Sequence, residues 1–229
     1  MRKIDPVNVK QDFAAGLADV WGFYAAAYAG LESEGHRSTL VESTLLSAAV
    51  LWEGFVSDLL LAYVNRDSTR FAEHLEQALQ VALDGKPRRV FDAYATLSIP
   101  AHLRKTAILQ LIDPRGRNLT FSTYAEFVEG AERFLVPAHR AGITGRPEAE
   151  RRTVDALIAL RNHIAHRSRQ SADAMNQALD QPALHPTGLR RGAHKVSNVG
   201  AWLKARPNPG AFPRIETFLL QLGAIAGAI

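Results

Sequence analysis

Arg161-Asn162-His163-Ile164-Ala165-His166 closes the segment 147–169, and the reading of the chain starts there. The segment predicts a helix. Pro147 suits a first helical position, and Glu148 and Glu150 follow in the first turn, where negative charge complements the helix dipole. Arg167 and Arg169 fall in the last turn of that reading, where cations are favoured. Val154, Leu157, Ile158, Ile164 and Ala165 recur at helical spacing. At about 100° per residue Arg161 lies near the middle of their arc. A guanidinium cannot be neutralised at ordinary pH, so an arginine on an apolar stripe needs a carboxylate, an anionic ligand or a wet interface.

Asn162 and His166 are four residues apart and share a face at the border of that arc. His163 points further round, toward solvent. Two readings fit these residues. In one, Arg161 is a structural partner of a glutamate and His166 a surface residue. In the other, Arg161 and His166 do chemistry together. Histidine titrates near neutrality and serves as general acid or base. A positioned guanidinium holds a phosphate through two hydrogen bonds and stabilises added charge.

Outward from the motif, the chain reads as helix after helix. Phe13, Leu17, Val20, Trp21, Tyr24 and Tyr28 space a first helix over 7–29. The second, over 38–65 with Ser38 as N-cap, is apolar on most sides and is the central element. Glu53 sits between Trp52 and Phe55 in that helix, and Glu42 projects in nearly the same direction three turns earlier. A buried glutamate wants a cation, and Arg161 is the natural one. Further helices are expected over 69–83, 88–97, 101–112 and 123–136, with a turn-rich basic loop over 113–118. Residues 171–179 continue the helical pattern weakly. Residues 181–210 change character, with four prolines, four glycines and the cations Arg190, Arg191, Lys195, Lys204 and Arg206; a short element falls around 196–204. Residues 212–229 close as an apolar helix. The expected fold is all-α: a bundle of about six to eight helices over 1–180, with a basic arm and C-terminal helix over 181–229 packing on the same domain.

The 229 residues, 47% of them hydrophobic, suffice for one sizeable core. There is no cysteine, which excludes disulfides and thiolate metal sites and fits a reducing, cytoplasmic setting. No signal-peptide pattern opens the chain, and the richest apolar run, 45–52, stops at Glu53, so no membrane partner is expected. His163 and His166 lack a carboxylate one turn away, so no metal and no cofactor is expected. Net charge is +4, unevenly spread. From Arg140 onward 13 Lys/Arg stand against 6 Asp/Glu, and before it 14 against 17. The basic half holds the motif, which suggests a polyanionic partner.

Arg161-Asn162-His163-Ile164-Ala165-His166 resembles the R-N-x-x-x-H signature of HEPN domains, small helical bundles many of which are metal-independent endoribonucleases of prokaryotic defence and toxin systems. The helical layout over 40–169 extends the resemblance. It implies Arg161 and His166 as the catalytic pair, with Asn162 orienting either group or bonding the phosphate and Glu53 or Glu42 in support. RNA needs no metal for scission, because its 2′-OH is a built-in nucleophile. Arg167, Arg190, Arg191 and Lys195 would hold RNA phosphates. Ser168 stands where some HEPN toxins carry a tyrosine that a partner enzyme modifies.

On one helix Arg161 and His166 are separated by about 7.5 Å of rise and about 140° of rotation. HEPN ribonucleases typically bring two copies of the motif into one cleft across a two-fold axis, which would make the apolar stripe partly an interface. The expected protein is thus a homodimeric, cytoplasmic endoribonuclease. The alternatives are a non-catalytic helical module that binds RNA or protein, and a HEPN subunit controlled by an antitoxin or sensor partner.

Overall fold

A computed structural model of the chain describes residues 4–83, 86–94, 99–100, 103–112 and 119–229. The described residues form eleven α-helices and one short 3-10 helix, with no strand among them. The helices are α1 (Pro6–Gly30), α2 (Glu34–Arg66), α3 (Thr69–Ala82), α4 (Lys86–Tyr94), α5 (Lys105–Ile112), α6 (Tyr124–Phe134), α7 (Pro137–Thr144), α8 (Glu148–His166), α9 (Arg169–Leu179), α10 (Val199–Lys204) and α11 (Arg214–Ala228). The 3-10 helix, Pro182–Thr187, follows α9. The all-α expectation holds, with more elements than six to eight because single runs break at caps. Thr123–Val136 stops at Phe134 and restarts at Pro137, whose ring fixes φ for a first turn. The basic loop expected over 113–118 lies outside the described residues.

At 33 residues, α2 is about 50 Å long and runs through the centre of the bundle. It begins a turn before the expected start, because Ser33, not Ser38, accepts from the His36 amide as N-cap. Ser38 instead meets α10: a Cβ on Gly200 would lie 2.9 Å from Ser38 Cα, so only glycine allows that crossing. Phe13 of α1 stacks on Phe55 at 4.6 Å and meets Trp52 edge-on at 5.9 Å. Leu45, Leu59, Leu157, Leu222 and Phe218 have no exposed surface, so α2, α8 and α11 share one core. Truncating Leu45 or Leu59 to alanine would cost about 2–5 kcal/mol.

In α2 lies the one helix among the described residues long and apolar enough by length and composition to span a membrane. Most of that window is buried inside the bundle, which is what a core helix does. The uncharged apolar run still stops at Glu53, and the window qualifies because single charged residues lower its mean hydropathy little.

The segment 181–210 is largely irregular outside the 3-10 helix and α10, and it packs on the bundle as expected. Leu184, Leu189 and Leu203 are fully buried in the common core, and Val199 nearly so. Trp202 packs against Phe218 at 6.4 Å, the anchoring role its neighbourhood suggests. Prolines and glycines hide this packing from periodicity, since each buried leucine sits in its own turn.

Candidate active site at the end of the motif helix

Helix α8 ends at His166, not at Arg169. Arg167 takes a left-handed conformation, φ 51°, the only non-glycine to do so among the described residues. Its amide donates to the His163 carbonyl at 2.8 Å, closing the helix. Ser168 then starts α9 through a capping box in which Ser171 accepts from the Ser168 amide and Ser168 accepts from that of Ser171. Arg167 and Arg169 are therefore junction residues rather than last-turn cations. What read as a weak continuation is a capped helix in its own right.

Buried positions on α8 are Thr153, Val154, Ala156, Leu157, Leu160 and Ile164. At 100° per residue Arg161 lies about 70° from the centre of that set and His166 about 150°. So Arg161 flanks the apolar stripe and does not sit in its middle. Ile158 is half-buried and Ala165 exposed. Leu160, Ala156 and Thr153, which the sequence arc left out, rotate the true face. The stripe is covered by α2, α9 and α11 of the same chain, so it is core rather than interface.

Two ion pairs tie α8 to α2. Arg161 Nε lies 3.4 Å from Glu53 Oε1, with about a third and a quarter of the two side chains exposed. Arg167 Nη2 donates to Glu42 Oε2 at 2.5 Å. The earlier glutamate meets the later arginine, so the pairs hold the helices antiparallel. The expected pairing of Glu53 with Arg161 is present, and Glu42 takes a second position at the motif's end. Glu42 Oε1 also accepts from the Gly200 amide at 3.0 Å, joining α2, α8 and α10. Arg167 Nε donates to the Ile164 carbonyl at 3.2 Å, so its fork is held from two sides.

Arg161 Nη1 donates to Asn162 Oδ1 at 3.0 Å. The two histidines exchange the surroundings expected for them. His163 is half-buried, its Nδ1 3.2 Å from Ser171 Oγ on α9. His166 is exposed and makes no hydrogen bond among the described residues. The reason is α9, which folds back along the His163 side of α8. Residues 165–170 are all exposed, and Arg167 and Arg169 make this end cationic. Beside it a cavity of about 320 Å³ is lined by Arg152, Asp155, Ile158, Asn162, Ser171 and Gln177, among others. Ser171 was missed as a site neighbour. Its only sequence signal is the capping pair with Ser168.

Arg151 and Arg152 are half-buried. Arg151 donates to the Arg146 and Thr144 carbonyls, and Arg152 to Asp155 at 3.2 Å. In the basic segment Arg191 Nη2 lies 2.7 Å from Asp180 and Lys195 Nζ 3.0 Å from Asp173. Lys195 donates a hydrogen bond to Asp173 and holds its carboxyl below the usual range. Arg190 shares Asp180 at 3.5 Å. Of the four cations expected to hold RNA, the three in this segment thus each face a carboxylate of α9 or its C-cap, and Arg167 faces Glu42 of α2. Among the described residues no three His, Asp or Glu side chains cluster as a metal site.

No family model matches the chain, nor does any curated protein or solved structure.

Proposed function

We propose that the chain is a metal-independent endoribonuclease of the HEPN type, cytoplasmic, acting as a toxin or defence effector. The observation that carries this reading is the end of α8. There Arg161 is held by Glu53 and Asn162, while His166, one turn on, stands open to solvent beside Arg167 and Arg169. A fixed guanidinium and an accessible imidazole are what 2′-OH attack requires: charge stabilisation from one, proton transfer from the other. Because the two side chains diverge by about 140°, a complete site needs a second motif. The surface for that pairing is the exposed 165–170 end, since the apolar stripe is already covered. An antitoxin or sensor partner would use the same end.

The test is cleavage of single-stranded RNA by purified protein with excess chelator. The expected products carry a 2′,3′-cyclic phosphate and a 5′-OH, and DNA of the same sequence survives. Sedimentation should show a dimer at micromolar concentration. Cleavage that stops with chelator, or persists in the His166→Ala protein, overturns the reading. One observation favours a second reading, a non-catalytic binding module. Arg161, Asn162 and Glu53 satisfy one another, as do His163 and Ser171, so much of the motif already has a structural role.

A further inference from the structure

A cleft of about 540 Å³ lies at the far end of α9 from the motif. Asp180, His185, Arg190, Arg191, Asn208 and Arg214 line it. Ser171 and Asp180 are nine residues apart on α9 and its cap, about 14 Å of rise, so this cleft is separate from the motif's surface.

Its charge is unbalanced. Three guanidiniums face one carboxylate. Asp180 serves both Arg190, through Oδ1 at 3.5 Å, and Arg191, through Oδ2 at 2.7 Å. Arg214 has no carboxylate within ion-pair distance among the described residues. It is held by carbonyls instead: Nε donates to Gly188 at 3.2 Å, and Nη1 to Trp202 at 3.3 Å and Ala205 at 3.2 Å. Its guanidinium lies 4.9 Å from the Trp202 ring centroid. Carbonyls satisfy donors but leave the net charge. Burial pushes the Arg214 pKa down, the mark of a cation drawn out of water. Arg214 Nη2 and Arg190 Nη1 make no hydrogen bond among the described residues. An arginine fixed by four contacts, partly desolvated and without a counter-ion costs stability unless an anion completes it.

We infer that this cleft binds a phosphate monoester, such as the 5′-phosphate of a nucleotide, with Arg190 and Arg214 as its ligands. The surplus of two positive charges matches a monoester, which carries about −1.5 to −2 at neutral pH, better than a singly charged carboxylate or phosphodiester. Guanidinium forks suit phosphate oxygens. A volume of 540 Å³ leaves room for more than the phosphate alone. Arg191, with every nitrogen bonded, holds Asp180 and the cleft wall rather than the ligand.

The experiment titrates the His166→Ala protein, so that RNA stays intact, at constant ionic strength, reading calorimetry and tryptophan fluorescence, to which Trp202 beside Arg214 contributes. Inorganic phosphate, adenosine 5′-monophosphate, and short RNA with a 5′-phosphate or a 5′-hydroxyl are the probes. Phosphate, the monophosphate and the 5′-phosphorylated RNA should bind saturably and compete with one another. Arg190→Gln keeps the Arg191–Asp180 pair and should weaken binding at least about tenfold, the scale of one charge-assisted hydrogen bond. Arg214→Lys keeps the charge but loses the fork, and should weaken it similarly, with a cooperative melt showing that the protein still folds. Lys195→Gln, outside the cleft, should leave binding intact. No saturable signal up to about 10 mM phosphate, or equal competition by the 5′-hydroxyl RNA, overturns the inference, as does a Lys195→Gln effect as large as that of Arg190→Gln. None of these outcomes depends on whether the motif cleaves RNA.

Discussion

The open end of α8 and the segment 181–210 are both rich in cations, and they differ in what stands opposite each one. In the segment, Arg190, Arg191 and Lys195 face Asp180 or Asp173, and Lys204 lies 2.5 Å from Glu34. Those carboxylates belong to other helices or their caps, and the pairs fasten the segment to the bundle. At the motif, Arg161 and Arg167 are fastened in the same way by Glu53 and Glu42, but His166 and Arg169 have no such partner among the described residues. A cation's place in the chain therefore does not tell its role. The carboxylate that meets it from a distant element does. On that measure the motif end keeps free chemistry, while most of the segment's charge is structural.

The largest expected effect tests the free side of this contrast. His166→Ala should lower ribonuclease activity at least about 10²-fold, the usual scale of general acid–base catalysis. Because His166 is exposed, the melting temperature should stay put. His163→Ala should do the reverse, trimming stability by removing one of Ser171's partners, with a smaller change in rate. Equal falls in rate would erase the distinction between the two histidines.

Arg191→Ala tests the fastened side. The Arg191 side chain is 15% exposed, pairs with Asp180 and donates to the Asn176, Gly192 and Ala193 carbonyls. Removing it should destabilise the fold by about 2–3 kcal/mol, or roughly 4–12 °C in a chain of this size. Differential scanning calorimetry measures this directly. A wild-type melt would mean that the segment is held by Leu184, Leu189 and Leu203 alone.

Glu53→Ala sits between the two regions. A fully buried pair would lose about 3–5 kcal/mol with one partner removed. With a third of Arg161 open to water, about 1–2 kcal/mol is the better expectation. Activity should fall further than that drop in stability explains, since Arg161 would no longer be fixed. A Glu53→Gln protein with intact folding and wild-type activity would return the pair to a structural role only.

Much of this was legible before the fold. Phe13, Leu17 and Tyr24 mark α1 by spacing alone, and a glutamate between Trp52 and Phe55 announces its need for a cation. The centre of the α8 arc was not, because Thr153 and Ala156 bury as well as valine does once a neighbour covers them. Counting Ile158 and Ala165, and omitting Thr153, Ala156 and Leu160, moved Arg161 into the middle. The histidines exchanged places because the break at Arg167 is set by a left-handed backbone and a serine cap. Neither leaves a periodic signal. In 181–210 the partners of the cations lie on another helix, and local reading sees only one half of each pair.

The smallest effect gives the sharpest comparison. Arg169 and Lys195 each carry one positive charge on an exposed side chain. Lys195 has Asp173 at 3.0 Å, whereas Arg169 has no carboxylate within ion-pair distance among the described residues. If RNA binds at the motif end, each phosphate that a cation neutralises releases counterions, adding about 0.7 to the log–log salt slope on a single strand. Arg169→Ala should therefore flatten the slope by about that amount. Lys195→Ala should leave it nearly unchanged, because its charge is already met by Asp173. Both proteins should melt like wild type, so any difference belongs to binding. Binding isotherms from about 50 to 200 mM salt would resolve it. The opposite ranking, with Lys195 carrying the slope, would move the RNA from the end of α8 to the segment beyond α9.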